Sequence, residues 1–375
     1  MKELKFFTDK EKTKNKYLAL PNKNNPRIIV PLRNYKLFIN GLKIQNTASF
    51  KNRLIKKSLI IGYPFFKSIS NNVVYNTTEL EELINIIKKE IKDNRIFDVS
   101  VYVGTAKSKN RKLTFLLIDE FGNNLGILKY PIEKESRLFI KNEFNSLEKI
   151  KECNFNSINF PKEAKIFDFE TNKVFYQENV FINTKQLRNE LNEIIVNAAV
   201  ELAIKTKRKY LFGYFDKILA DLNKTTELNC FILKYKKNSE ELLNLELPLI
   251  SVHGDFVLYN MQSDGERLHL IDWEYFRDGL PLFDLFHFIF QGKFQIEKKS
   301  VHKCIRDIFN KNNRQFYKCY LSRLNLNISQ SDMDKIIREL FFIYLIDNLI
   351  FDKNIKTDFD FDKSHFYQAL KTFIS

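Results

Sequence analysis

The chain has 375 residues, of which 44% are hydrophobic and 29% charged, and its formal net charge is +15. This composition can fill a hydrophobic core, and ten glycines and eight prolines are too few for a collagen-like or glycine-rich linker protein. The four cysteines include no Cys-x-x-Cys pair, which excludes a disulfide scaffold and a thiolate zinc site and favours a reducing compartment. The length predicts two or three domains.

Most of the positive charge lies in residues 1–70. They hold sixteen Lys and Arg against three acidic residues, a net charge of +13, so the rest of the chain carries only +2. Two interpretations stay open: a solvated surface in a lysine-rich chain, or a patch that faces a polyanion or an anionic membrane. The N-terminus lacks an apolar signal segment, and the apolar run 340–351 is shorter than a membrane span. We therefore expect a cytoplasmic protein, which would lie at the inner face of the membrane if the basic region faces lipid.

Residues 1–95 are predicted to form a basic N-terminal extension. Residues 27–32 and 35–39 are typical of short strands or extended segments, and residues 50–61 predict a short amphipathic helix. From Thr78 to Ile91 the apolar residues recur at helical spacing, with Thr78 as the expected N-cap.

Residues 96–182 are rich in strand patterns, whereas residues 183–375 are mainly helical. The predicted strands are 99–103, 113–118, 125–130, 164–169 and 174–180, with one helix at 134–150. A long amphipathic helix is predicted from Leu187 through Leu202, ending in the basic run 205–209, and short strands at 248–252 and 268–272 flank a turn at 263–265. The expected fold class is therefore α+β, with a small β-rich unit followed by a larger helical one.

The sharpest motif is His253-Gly254-Asp255, followed by Asn260 and then by Asp272. Phosphoryl transfer from a nucleotide needs a carboxylate to orient and deprotonate the acceptor hydroxyl, and oxygen ligands to hold magnesium against the phosphates. Asp255 could serve in the first role, and Asn260 and Asp272 in the second. A short hairpin between Asn260 and Asp272 would bring both ligands to one edge.

Residues 252–290 resemble the catalytic segment of the aminoglycoside phosphotransferase and choline kinase-like family, which has a two-lobed protein-kinase-like fold. The family pattern of His-Gly-Asp, four residues, Asn and an Asp after a short hairpin is matched at each position. The resemblance implies ATP and Mg²⁺ as cofactors, Asp255 as the catalytic residue, and Asn260 and Asp272 as metal ligands. It also implies that Asp284, which begins the next helix, braces the catalytic loop.

The same resemblance implies nucleotide contacts in the predicted N-lobe. Lys129 stands where the family has its phosphate-contacting strand lysine, and Glu143 where a helix glutamate pairs with it. Nearby alternatives for this pair are Lys134, Lys141, Glu135 and Glu148. The phosphate loop would span 103–112, with Gly104 and Thr105 at its start, and residues 176–180 would form the hinge to the adenine ring.

The acceptor implied by the resemblance is a hydroxyl of a small molecule or a glycan. Residues 27–57 resemble, more loosely, an extension found on phosphotransferase-like proteins encoded with bacterial surface-polysaccharide genes, which points to a glycan. One alternative is a catalytically silent kinase-fold protein that binds nucleotide, a polyanion or a membrane. Nucleic acid is not expected, because no zinc-finger spacing or RNA-recognition signature is present. Protein kinase activity is disfavoured because no Ala-Pro-Glu activation segment follows Asp272.

Overall fold

The computed structural model describes residues 5–10, 15–44, 50–69, 71–103, 110–208, 212–245, 247–326, 328–356 and 359–374. The chain forms two compact units. The first comprises residues 1–145 and 161–179, and the second residues 146–160 and 180–375. Among the described residues, no helix combines the length and apolar character that a membrane crossing requires.

The first unit is built on a nine-stranded antiparallel sheet with the strand order β1-β4-β2-β3-β5-β6-β7-β10-β9. The strands are β1 Phe7–Thr8, β2 Lys16–Leu20, β3 Ile28–Pro31, β4 Val73–Asn76, β5 Asp98–Val103, β6 Lys112–Ile118, β7 Asn124–Pro131, β9 Ala164–Phe169 and β10 Asn172–Glu178. The helices are α1 Tyr35–Gly41, α2 Phe50–Ile61, α3 Tyr63–Ile69, α4 Thr78–Ile91 and α5 Ser136–Lys151, which begins in this unit.

Alternating side chains of the early strands supply two cores, one on each face of the sheet. Tyr17 and Ala19 pack with α4 on one face, whereas Leu18 packs with α1 and α3 on the other. Because β3 pairs with β5, the strands before residue 96 share one sheet with those after it. The residues predicted as a separate extension thus continue the sheet of the predicted N-lobe.

Two local predictions in this unit need correction. Residues 35–39 lie in helix α1 and not in a strand, because the side chain of Asn34 accepts a hydrogen bond from Leu37 N and caps a helix there. Helix α4 begins at Thr78, so the N-cap position belongs to Thr77. Helix α2 spans residues 50–61, as the sequence predicts.

The second unit is mainly helical, which with the sheet of the first confirms the α+β class. Its helices are α6 Glu193–Thr206, α7 Phe212–Asn223, α8 Ile232–Asn244, α9 Phe283–Gln291, α10 Val301–Ile308, α11 Lys311–Arg323, α12 Met333–Ile355 and α13 His365–Ile374. The predicted helix start at Leu187 is wrong, because Asn192 caps α6 by accepting from Ile195 N. Helix α12 is buried over most of its length.

Short strands of the second unit carry the motif residues. They are β8 Ile158–Asn159, β11 Ile250–Val252, β12 Met261–Ser263, β13 Leu268–Leu270 and β14 Arg277–Gly279. Strands β12 and β13 form an antiparallel hairpin, and β13 pairs with β8. Strand β11 pairs with β14. The segment from His253 to Asp272 therefore follows β11 of one short sheet and contains β12 and β13 of another.

Candidate active site

Strand β11 leads directly into the His253-Gly254-Asp255 loop. Gly254 has φ +83°, in the left-handed region that favours glycine. A Cβ at this position would lie 2.2 Å from the backbone oxygen of Tyr275. The loop therefore passes so close to the residues after Asp272 that only glycine fits.

Asp284, the second residue of α9, fixes the start of this loop. Its two carboxylate oxygens accept hydrogen bonds from His253 N at 2.9 Å and Gly254 N at 3.2 Å. Burial raises the pKa of Asp284, although nearby His253 and the two amides oppose that effect. The carboxylate binds backbone amides of the catalytic loop, which is the bracing geometry predicted for it.

His253 is fully buried and holds the loop by both ring nitrogens. Nδ1 accepts from Asp255 N at 3.3 Å, and Nε2 lies 3.0 Å from the backbone oxygen of Ile271. The proton is therefore on Nε2. Burial lowers the pKa of His253, which keeps the ring neutral. The ring of Trp273, the single tryptophan, packs against the His253 ring with centroids 4.6 Å apart. Trp273 therefore supports the loop from its buried side.

Asn260 connects the catalytic loop to the hairpin. Its side-chain amide donates to Asp255 Oδ2 at 2.9 Å and to Asp255 O at 3.0 Å. Its backbone oxygen accepts from Ile271 N at 3.0 Å. The side chain of Asp255 is 30% exposed, so the carboxylate is both held and accessible. The structure thus brings Asp255 and Asn260 into contact and places Asn260 beside the residue that precedes Asp272.

Asp272 follows β13 in the left-handed conformation, with φ +69° and ψ +55°. A non-glycine residue in this region is uncommon, and aspartate and asparagine tolerate it best. Carboxylate oxygens of Asp272 and Glu274 lie within 4.8 Å of each other. Together with the amide oxygen of Asn260, these are hard oxygen donors of the kind that Mg²⁺ prefers, so the residues fit a magnesium site.

Sequence reasoning assigned no role to His287, yet this residue faces the carboxylate of Asp255, the candidate catalytic residue. Nε2 of His287 lies 3.6 Å from Asp255 Oδ1, and Nδ1 lies 3.2 Å from the hydroxyl of Tyr344 on α12. His287 comes one helical turn after Asp284 on α9, which is the signal that could have revealed it. Asp255 is therefore flanked by Asn260 on one oxygen and His287 on the other.

In the first unit, Lys129 on β7 and Glu143 on α5 form a buried ion pair. Lys129 Nζ lies 2.7 Å from both carboxylate oxygens of Glu143, and the two residues are 4% and 0% exposed. Taking both charges out of water costs free energy that can offset their attraction. The burial of this ion pair therefore does not by itself show that the pair stabilises the fold. Glu148 bonds to Lys151, so it does not replace Glu143 in this pair. Gly104 and Thr105 lie outside the described residues.

A cavity of about 600 Å³ lies within the second unit, and Arg277 forms part of its wall. Arg277 Nη2 donates to Asp347 Oδ2 at 2.7 Å, and Tyr214 donates to the other oxygen of Asp347 at 3.0 Å. Arg277 Nη1 also lies 2.5 Å from where a Cβ of Gly254 would be. The cavity is therefore adjacent to the catalytic loop and has a polar, hydrogen-bonded wall.

Several known proteins are similar to this chain. A choline/ethanolamine kinase family protein from Mesorhizobium loti is 14% identical in sequence, with 79% of this chain and 95% of that chain covered and a TM-score of 0.49. An ethanolamine kinase from Plasmodium vivax is also 14% identical, with 89% of this chain and 96% of that chain covered and a TM-score of 0.47. The UvrABC system protein C of Mycoplasmopsis agalactiae is 26% identical over 266 residues, which are 68% of this chain and 43% of that protein. The chain thus spans less than half the length of that curated relative.

The model of the phosphotransferase enzyme family matches residues 206–299. This stretch contains the His253-Gly254-Asp255 loop, the hairpin with Asn260 and Asp272, and the brace Asp284. The family resemblance drawn from the motif is thereby confirmed over the segment that carries the candidate catalytic residues.

Proposed function

We propose that the protein is an ATP- and Mg²⁺-dependent phosphotransferase that acts on a hydroxyl of a small molecule or glycan. The observation that carries this proposal is the contact of Asn260 with Asp255, in a loop whose amides Asp284 binds. A carboxylate that is fixed but accessible suits the orientation of an acceptor hydroxyl. The match of the phosphotransferase family model to the same residues supports it.

In the proposed reaction, the acceptor oxygen forms a bond to the γ-phosphorus as the bond to the β-phosphate oxygen breaks, releasing ADP. Asp255 orients the acceptor hydroxyl and takes its proton. Asn260 and Asp272 would hold magnesium, with Glu274 beside them, and the ion would neutralise charge on the phosphates. No covalent enzyme intermediate is needed, because positioning and charge neutralisation supply most of the catalysis.

Lys129 is proposed to contact the α- and β-phosphates of the nucleotide, with Glu143 fixing its ammonium group. Both carboxylate oxygens of Glu143 lie at hydrogen-bond distance from Lys129 Nζ, which supports this positioning role. Gly104 and Thr105 are proposed to contribute phosphate contacts through the loop 103–112. Each of these assignments follows the family resemblance.

The cavity beside Gly254 is proposed to receive the acceptor. Its lining balances three acidic and three basic side chains, Asp221, Asp278, Asp347, Arg208, Lys217 and Arg277. A balanced lining favours an uncharged, hydroxyl-rich acceptor over a polycation, because hydroxyls can donate to carboxylates and accept from guanidinium groups. Phe351, which also lines the cavity, adds an aromatic surface of the kind on which a sugar face can pack. This chemistry supports a glycan or another polyol.

We also propose a cytoplasmic location, with residues 1–70 meeting an anionic membrane surface. The net charge of +13 in these residues supports this partner. Proximity to the membrane would suit a lipid-linked glycan acceptor.

A screen of sugars, amino alcohols and lipid-linked glycans with γ-labelled ATP and Mg²⁺ tests the proposed function. We expect label transfer to a hydroxyl-bearing acceptor by the wild type and loss of transfer in Asp255→Asn. A parallel binding assay with a nonhydrolysable ATP analogue separates the alternatives. Nucleotide binding without transfer to any acceptor would favour the catalytically silent protein.

A further inference from the structure

Helices α2 and α3 present apolar side chains on two sides. On the inner side, Tyr63 belongs to the core cluster on one face of the sheet, and Leu59, Ile60 and Phe66 pack against that cluster. The helices are therefore anchored to the sheet. Apolar residues on the outer side are not needed for this anchoring.

A second apolar group, which consists of Leu54, Ile55, Ile61 and Phe65, is exposed to solvent. In that order, the four residues are 49%, 49%, 78% and 70% exposed. Leu54 and Ile61 are seven residues apart and share one face of α2. Single exposed apolar residues are ordinary, but four within twelve residues are an unusual concentration, and concentrated exposed apolar surface marks interaction sites. We call these four residues the outer face.

The outer face lies in a basic part of the sequence. Residues 12–78 contain thirteen Lys and Arg and no Asp or Glu. Lys57 is exposed on α2, next to the partly buried Lys56. Burial and the nearby Lys43 lower the pKa of Lys56, so two ammonium groups lie close enough to repel each other. Such a cluster favours an anionic partner.

We propose that the outer face docks on an anionic lipid bilayer, with Ile61 and Phe65 entering the headgroup boundary and the lysines meeting the lipid phosphates. This inference deepens the proposed membrane location of residues 1–70, and it does not depend on phosphoryl transfer. Charge alone would suit any polyanion. The combination of exposed aliphatic and aromatic side chains with lysines is typical of segments that lie in the membrane interface.

Co-sedimentation with vesicles tests the proposal on the full-length chain. The vesicles contain phosphatidylcholine alone or with 30% phosphatidylserine, at low and moderate salt. We compare wild type with Ile61→Ser/Phe65→Ser and with Lys56→Gln/Lys57→Gln. The matched control is Phe121→Ser/Leu233→Ser, which removes two side chains of 64% and 81% exposed residues elsewhere.

We expect wild type and the control to pellet with phosphatidylserine vesicles, and binding to fall with salt because exposed charges are screened. The Ile61→Ser/Phe65→Ser variant should bind at least about tenfold more weakly, since two apolar side chains no longer leave water. The lysine variant should also bind more weakly. Neutral vesicles should bind poorly.

Three results would overturn the proposal. The first is a wild type that does not pellet at low salt, and the second is an Ile61→Ser/Phe65→Ser variant that binds as tightly as wild type. The third is a dimer, formed without vesicle binding, that only this variant abolishes; it would assign the outer face to a second copy. Turnover on a soluble acceptor is measured in parallel. Vesicle binding by a protein that transfers no phosphate would leave this inference standing and reject the proposed function.

Discussion

The side-chain amide of Asn260 donates to the carboxylate of Asp255 at 2.9 Å, and the backbone oxygen of Asn260 accepts from Ile271 N at 3.0 Å. One residue therefore couples the catalytic loop to the hairpin that ends at Asp272. The donated amide hydrogens orient Asp255, and the amide oxygen takes no part in these bonds. Asn260 can thus position the proposed base and offer an oxygen to a metal ion at once.

The substitution Asp255→Asn should reduce kcat by at least about 100-fold while the fold persists. An amide can keep the contact with Asn260 but cannot accept the acceptor proton. Turnover is measured with saturating ATP, and folding by thermal denaturation. Glu266→Gln, which neutralises an exposed carboxylate in the hairpin turn, is the control and should keep wild-type turnover. If Asp255→Asn retained more than a tenth of the wild-type rate, Asp255 would not be the base.

Asp272→Asn should remove the magnesium dependence of nucleotide binding. Asparagine is preferred to alanine here because it tolerates the left-handed backbone at φ +69°. The lost negative charge weakens a hard-cation site, so affinity for a nonhydrolysable ATP analogue in Mg²⁺ should fall at least about tenfold. Calorimetry with and without Mg²⁺ measures this, and metal-free affinity should stay unchanged. Equal magnesium enhancement in variant and wild type would reject Asp272 as a ligand.

The buried pair of Lys129 and Glu143 allows structural and functional roles to be separated. Lys129→Met removes the ammonium group that neutralises the buried Glu143 carboxylate, which should lower the free energy of unfolding by about 3–5 kcal/mol. The double variant Lys129→Met/Glu143→Leu removes both charges and should recover most of that loss. Its KM for ATP should nevertheless stay raised, because no ammonium group meets the phosphates. A double variant with wild-type KM and kcat would assign the pair a purely structural role.

Gly254→Ala should impair both folding and turnover. The left-handed backbone costs alanine about 1–3 kcal/mol, and the added Cβ meets the Tyr275 oxygen at 2.2 Å, so the loop must shift. Gly265→Ala is the matched control, because its φ is +105° but no atom lies within 4 Å of its Cβ. Thermal denaturation and kcat are compared for both. The clash at Gly254 is refuted if the two variants lose the same stability and activity.

The candidate catalytic motif could be found in the sequence because its residues are close together along the chain. Asp255, Asn260 and Asp272 lie within eighteen residues, and a single hairpin relates the last two. Lys129 lies on a strand and Glu143 on a helix. Their pairing was predicted from the family resemblance and not from a local sequence pattern. His287 was missed because its contact with Asp255 depends on how α9 packs, over thirty residues away.

Errors in secondary structure arose where a capping side chain or a distant contact decides the conformation. Residues 35–39 are too few for their apolar pattern to distinguish a strand from a helix, and Asn34 settles the choice by capping α1. The segment before α6 is not helical, because Lys185 pairs with Ser263 and Gln186 donates to Leu258 O. The pairing of β3 with β5 likewise joins strands about seventy residues apart, which no local pattern encodes.

A buried carboxylate in the sheet predicts a pH dependence of stability that is independent of catalysis. Asp98, at the start of β5, accepts from the Tyr17 hydroxyl at 2.5 Å and from Val99 N at 2.8 Å. Burial raises the pKa of Asp98 to about 6, against the lowering effect of these bonds and of Arg33. Because the folded pKa exceeds the unfolded value of 3.8, the folded state binds this proton more tightly than the unfolded state. The stabilisation that the proton on Asp98 gives the folded state is fully present below the unfolded pKa of 3.8, and it is lost as the pH rises through about 6.

Asp98→Asn should abolish this contribution to the pH dependence. The free energy of unfolding of the variant, relative to wild type, should therefore rise by about 2–3 kcal/mol between about pH 4 and pH 7. Denaturant titrations followed by circular dichroism at several pH values measure the difference, and other titrating groups cancel in it. A difference that stays constant between about pH 4 and pH 7 would show that ionisation of Asp98 costs the folded protein nothing.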